Sequence, residues 1–405
     1  MKILISAYAC EPNKGSEPGI GWNWALHLSK MGHSVTVITR KNNKIQIDKE
    51  IKKKKLYKKI HFIYYDCSNF FLKIKNTIPG GIYLYYYLWQ FSVYNFLKKN
   101  ININEYHLIH HLTFGVFRLP SFLSNFNKPF IFGPVGGGEI INKHLFWNLS
   151  INDKFKELLR IFSNYIFFNY DLNLIKCLKK SKYIFTKNFE TKKIIDNKFR
   201  IKTSVLLEIG SNFFFKKKLK KKKIFKILFL GRHIYWKGGE LLIAAFNKSI
   251  QQNNNLQLSF VGNGPDKNKW IKLSKKLKLS SKIKFYNKIS QKNLNKLFSK
   301  NDILILPSYH DSSSNVVLEA LSHSVPVICL KIGGPPTIVD NKSGYSINLS
   351  KVNNFNDIVN LLSKKIILVS KNFKLYEKLS SGAYKRAQYF HWPLVIGRLY
   401  KNIKF

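Results

Sequence analysis

The chain has 405 residues, 45% of them hydrophobic, with only 22 glycines and 12 prolines. It is too long for one ordinary domain, apolar enough for two cores, and too poor in low-complexity sequence to be disordered or fibrous. The formal net charge is +48, from 69 Lys and Arg against 21 Asp and Glu. A basic stripe would point to nucleic acid, but lysine is scattered over almost every polar segment and is over-used together with Asn, Ile, Phe and Tyr. That pattern is compositional bias, and no nucleic-acid partner is expected. A field of this sign still attracts anionic lipid surfaces and anionic substrates.

Along the chain, Ile3–Tyr8 reads as a first strand, and the start MKILISAYAC is not that of a signal peptide. A loop with Gly15, Gly19 and Gly21 follows, then a helix near Gly21–Met31 and a strand at Ser34–Thr39. This β–loop–α–β order signals a parallel sheet, and the glycines let backbone approach a ligand. Gly15 and Gly19 are therefore candidate donor-binding positions. A basic run, Lys52–Lys59, precedes the uncharged stretch Ile78–Leu97. That stretch is long enough for a bilayer, yet it contains Pro79, Gly80, Gly81, Gln90 and five tyrosines. A buried helix, an interfacial helix and a membrane span all remain open for it.

Further strands are expected at His61–Tyr65, Leu108–His111, Phe130–Phe132, Tyr183–Thr186 and Thr203–Leu207. His110 and His111 would end one of them. An imidazole there can donate to a sugar hydroxyl or a phosphate, so His111 is a candidate catalytic residue, against the alternative of a satisfied core histidine. Gly136, Gly137, Gly138 and Glu139 follow another strand and are expected to line a cleft. The first domain is expected over 1–208, a basic linker over 209–225, and a second domain over 226–385. Residues 386–405 have helical apolar spacing at Leu394, Val395, Leu399 and Ile403, and are expected to pack back on the first domain.

The second domain repeats the pattern. Ile227–Leu230 leads into Gly231-Arg232-His233-Ile234-Tyr235-Trp236-Lys237-Gly238-Gly239, and Gln257–Val261 leads into Gly262-Asn263-Gly264-Pro265. Strands at Lys282–Tyr286, Ile303–Leu306 and Val325–Leu330 complete it. Gly262 is a candidate donor-binding position. Arg232 offers a planar fork for phosphate oxygens and Lys237 a point charge, so both are candidates for stabilising a departing diphosphate. The architecture is α/β, two doubly wound domains in tandem, with ligands expected beyond the carboxyl ends of the strands in one central cleft.

The richest stretch is 309–334, YHDSSSNVVLEALSHSVPVICLKIGG. Ser314 or Asn315 can cap a helix whose first free N–H groups, including that of Val316, face an anion. Glu319 lies one turn further on the face of Asn315. A carboxylate there suits a pair of sugar hydroxyls. The arrangement fits a nucleotide sugar, with phosphates at the helix start, ribose on Glu319 and the donor sugar near Asp311.

Taken together, ISAYACEPNKGSEPGIGWNWAL, HHLTFGV, FGPVGGGE, FLGRHIYWKGG, VGNGP and HDSSSNVVLEALSHSVPVICLKIGGPP make the chain similar to the retaining nucleotide-sugar glycosyltransferases of glycosyltransferase family 4. The resemblance implies the GT-B fold of two Rossmann-like domains. It implies sugar transfer from a nucleoside-diphosphate donor, with retained anomeric configuration, to a glycan or lipid-linked acceptor in surface polysaccharide or glycolipid assembly. The paired acids of that family fall on Asp311 and Glu319, and its phosphate-binding pair on Arg232 and Lys237. Asp311 replaces the more usual Glu, Thr337 stands where Glu is common, and Asn287 where Gly is frequent. No Asp-x-Asp pair lies near the expected cleft loops, so neither a metal nor a cofactor beyond the sugar nucleotide is expected. The expected location is the cytoplasm, peripheral at the inner membrane face; Cys10, Cys67, Cys177 and Cys329 form no CxxC pair and suit a reducing compartment. Two other readings are a non-catalytic sugar-nucleotide-binding partner protein and a basic nucleic-acid-binding protein with a stacking platform.

Overall fold

The computed structural model describes residues 1–53, 59–78, 80–200, 203–401 and 403, so most of the Lys52–Lys59 run lies outside the described residues. Two compact units emerge. The first holds Met1–Gly138, Ile161–Glu208 and Trp392–Phe405; the second holds Glu139–Arg160 and Ile209–His391.

The first unit is built on seven strands: β1 Lys2–Ala7, β2 Ser34–Thr39, β3 Ile60–Tyr64, β4 Leu108–Thr113, β5 Phe130–Val135, β6 Tyr183–Thr186 and β7 Ser204–Val205, in the order β3-β2-β1-β4-β5-β6-β7. Each neighbouring pair is parallel. β1, β4 and β5 are buried almost throughout, as near-continuous apolar runs covered on both faces require. The helix after β1 runs from Ser16 to Lys30 and starts earlier than the glycines and prolines suggest. Pro18 sits in its first turn, where a missing N–H removes no intrahelical bond.

Of the uncharged stretch, Gly81–Leu97 lies in the helix Gly81–Asn100, and Pro79 lies outside the described residues. Tyr85, Tyr86, Trp89, Val93 and Leu97 are buried in the main apolar cluster, and Gln90 is buried with Ser6, Tyr86 and Ser121 as partners. One face of this helix therefore belongs to the core. Among the described residues, no helix is long and apolar enough to cross a membrane. The C-terminal helix Trp392–Tyr400 belongs to this unit, with Trp392 stacked on His27 and the Tyr400 hydroxyl 2.8 Å from His110 Nδ1.

The second unit holds six parallel strands: β8 Phe225–Leu230, β9 Leu256–Val261, β10 Ile283–Tyr286, β11 Ile303–Leu306, β12 Val327–Leu330 and β13 Gly344–Ile347, in the order β10-β9-β8-β11-β12-β13. Its core gathers Phe229, Phe246, Phe260 and Trp270, all fully buried. The segment expected as a basic linker is instead strapped to this unit. Phe215 N–H donates to the Ser322 carbonyl at 2.6 Å, and Lys217 and Lys222 lie 3.6 and 3.3 Å from the buried Asp302 carboxylate. A buried acid needs counter-charge, and these lysines supply it. The four cysteines are free and buried, and burial pushes the thiol of Cys177 up to about 11 and that of Cys329 to about 12.

Candidate functional site

In the second unit the strand order reverses between β8 and β11. Doubly wound sheets bind ligands at such a switch point, beyond the carboxyl ends of the strands. The two loops that leave it are 231–238 and 307–314. They are joined backbone to backbone, since Tyr309 N–H donates to the Trp236 carbonyl at 2.7 Å. They are also joined by rings, with Trp236 stacked on His310 at 5.4 Å.

The predicted charged residues meet here in part. Lys237 Nζ donates to Asp311 Oδ2 at 2.5 Å, so the cation assigned to diphosphate and the acid assigned to the sugar form one ion pair. Arg232 stands exposed at the start of the same loop. Ser314, and not Asn315, is the N-cap residue of the helix Asn315–Ser322, but its side chain makes no cap hydrogen bond. The Ser314 hydroxyl donates to Asp311 Oδ2 at 3.2 Å instead. The carboxylate is a strong acceptor for that hydroxyl donor, so Ser314 ties the helix start to Asp311. Val317, Leu318, Ala320 and Leu321 face the core, which leaves Asn315, Val316 and Glu319 on the half-buried opposite side.

Burial pushes the Glu319 carboxyl above its usual range, and the Gln291 side-chain amide, donating at 3.2 Å, partly offsets this. A desolvated carboxylate with one neutral donor retains lone pairs for further hydroxyl donors. The Asp311 loop is held from behind by the turn after β12. Gly334 N–H donates to the Asp311 carbonyl at 2.7 Å. Gly333 has φ +69°, and a Cβ there would lie 2.2 Å from that carbonyl, so no side chain fits. Asn287 accepts from Lys267 at 2.6 Å, and Thr337 turns its hydroxyl back to the Gly334 carbonyl.

A second polar cluster was missed by sequence reasoning. Glu157, fully buried, accepts from Arg160 Nη2 at 2.6 Å and from the Tyr235 hydroxyl at 3.1 Å, with His310 Nε2 3.2 Å away. Burial alone would raise its carboxyl, but His310 and Arg160 outweigh burial and hold it at about 2. Glu139 belongs to this unit too, buried beside Gly333, with its carbonyl accepting from Arg160 at 2.8 Å. Tyr235 and His310 immediately flank the loop residues Trp236 and Asp311, so Glu157 anchors both switch-point loops.

Other predicted positions lie elsewhere. Gly262, after β9, faces the Gly231 carbonyl, and Gly19 faces the Lys14 carbonyl; the close backbone approach expected toward a ligand is toward the chain itself. Gly15 is exposed at the N-cap position of the helix Ser16–Lys30, with an ordinary φ of −82°. In the first unit Gly136 N–H donates to the Gly115 carbonyl, Gly137 has φ +105°, and Gly138 N–H donates to the Thr191 hydroxyl. His111 was expected at a strand end but sits inside β4, 1% exposed, with its Nε2 3.3 Å from the Tyr86 hydroxyl. Burial, with the neighbouring His110 and the positive charge of Lys187, holds it down to about 3, so it is a neutral core imidazole at neutral pH. Among the described residues, no group of three or more His, Cys, Asp or Glu converges to hold a metal ion.

A model of the family described as "Glycosyl transferases group 1" matches residues 211–386. The match covers most of the second unit, which is thus similar to a group 1 glycosyl transferase domain. An uncharacterized glycosyltransferase of Methanocaldococcus jannaschii is 32% identical over 116 residues, 29% of this chain and 30% of that protein. The chain thus matches about a third of that relative's length. Sucrose-phosphate synthase of Thermosynechococcus elongatus has the same fold, with a TM-score of 0.62 at 16% identity over 99% of this chain and 98% of that one. HepE of Anabaena, solved in complex with UDP, has a TM-score of 0.59 at 14% identity and covers 99% of both chains. The whole chain therefore has the GT-B architecture of two Rossmann-like units. Arg232, Lys237, Asp311 and Glu319 all lie within the matched residues 211–386.

Proposed function

We propose that the chain is a retaining glycosyltransferase. It moves a sugar from a nucleoside-diphosphate sugar to a glycan or lipid-linked acceptor in surface polysaccharide or glycolipid assembly, at the cytoplasmic face of an anionic membrane. The observation that carries this reading is the convergence of Lys237, Asp311 and the helix bearing Glu319 on two interlocked loops at the switch point. Departing diphosphate carries developing negative charge, which Arg232, Lys237 and the first-turn N–H groups of the helix Asn315–Ser322 would stabilise without a metal ion. Glu319, desolvated and short of donors, would accept the ribose hydroxyls. Bound UDP in HepE supports a nucleoside diphosphate as the leaving group. Asp311 is paired with a cation and would orient the sugar instead of attacking it. The acceptor would then enter on the face from which the diphosphate leaves, which retains configuration. Four free, buried cysteines support a reducing compartment.

The test separates the two acids. Glu319→Gln should weaken binding of the bare nucleoside diphosphate by calorimetry. Asp311→Asn should leave that binding intact and reduce transfer. Equal loss of diphosphate affinity in both variants would sink the assignment, and tight binding without turnover of any donor would make the protein a sugar-nucleotide-binding partner.

A further inference from the structure

The segment from Ile161 to Tyr170, in the first unit, reads IFSNYIFFNY and carries no charge. Its polarity is inverted. The polar Asn164 points inward, donating to the Gly137 carbonyl at 3.0 Å and accepting from Arg118. Phe168 is the buried apolar contact, packed on Phe117 and Phe199. Outward face Phe162, Tyr165, Ile166 and Tyr170, with Phe162 62% and Tyr170 64% exposed, and the next helix begins at Leu172, 78% exposed. A surface helix ordinarily turns such a stripe inward. The stripe also extends sideways. Asn173 donates to the Tyr87 hydroxyl at 2.8 Å, and the rings of Tyr87 and the exposed Phe91 both pack on Phe122.

We infer that this stripe lies in the interfacial layer of an anionic lipid bilayer. Charge selects the occupant. Exposed Lys176, Lys179 and Lys180 follow on the adjoining helix, Lys98 and Lys99 end the Gly81 helix, and the chain as a whole carries +48. The acid that separates the two helices, Asp171, caps the helix Leu172–Lys180 and accepts from Tyr87. A second copy of the chain would bring the same excess positive charge to the contact, whereas anionic headgroups offer the opposite sign. Tyrosines at headgroup depth with Phe and Leu at the acyl boundary match what an interfacial helix needs. The inference deepens the membrane-surface part of the reading above and does not depend on sugar transfer.

The experiment is flotation of the full chain with vesicles of phosphatidylcholine alone or with about one-third phosphatidylglycerol, at roughly 0.15 and 0.5 M salt. Anionic vesicles should carry the protein at both salt concentrations. Neutral vesicles should carry far less. Phe162→Ser combined with Ile166→Ser should reduce binding roughly tenfold at the higher salt, where charge is screened. Circular dichroism and nucleoside-diphosphate binding should stay unchanged in that variant. A second variant, Lys176→Glu with Lys179→Glu and Lys180→Glu, leaves the stripe intact and should lose preference for the anionic vesicles. Unchanged flotation of the Phe162/Ile166 variant would overturn the proposal in favour of general charge attraction. A dimer by sedimentation that dissociates in that variant would overturn it in favour of a second copy. Loss of diphosphate binding with intact flotation would count against the donor-site reading and leave this one standing.

Discussion

Glu157 offers a quantitative test of what holds the switch-point loops. Its carboxylate is 0% exposed and held at about 2 against an ordinary 4.5. At about 1.4 kcal/mol per pH unit this corresponds to on the order of 3 kcal/mol of stability in the charged form. The same size is typical for breaking one side of a buried ion pair, because the Arg160 guanidinium would be left without its carboxylate. The sign is fixed by the direction of the shift. A depressed carboxyl stabilises fully above its unfolded value, and the contribution is lost as pH falls from near 4.5 toward about 2. Glu157→Gln should therefore lower the stability of the second unit by about 3 kcal/mol at neutral pH, and the deficit should shrink by more than half at about pH 3. Urea unfolding followed by tryptophan fluorescence reads this directly, since Trp236 stacks on His310 beside the cluster. A deficit that is the same at both pH values would mean that Gln packs poorly, and that the charge contributes nothing.

Two further predictions concern transfer. Arg232→Ala and Lys237→Ala should each slow sugar transfer by roughly a hundredfold or more, while thermal unfolding changes little. Near-normal turnover in both would remove them from the site. Activity should persist in EDTA; complete loss that Mg²⁺ or Mn²⁺ restores would reveal a metal held jointly by the protein and the bound diphosphate.

The two parallel sheets were legible because buried strands are written as short apolar runs, such as KILISA and ILIL, each followed by a turn-rich loop. The acids Asp311 and Glu319 were legible because their spacing straddles a helix start. Pairing across distant segments was not. Nothing local to Glu157 announces that it meets Tyr235 and His310, which lie far along the sequence. His111 misled because strand ends and strand interiors look alike when the strand runs two residues further, to Thr113. The lysine run before β8 looked like a tether because its partner, Asp302, lies far along the sequence.

The burial of all four cysteines has a practical consequence for probe chemistry. A thiol reagent attacks the thiolate, and burial keeps the native thiols protonated and covered at neutral pH. A single cysteine introduced at an exposed position such as Phe91 would thus react ahead of the native ones, with no need for a cysteine-free background. An environment-sensitive dye attached there would report whether that position enters a lipid layer or stays in water, in the otherwise native protein.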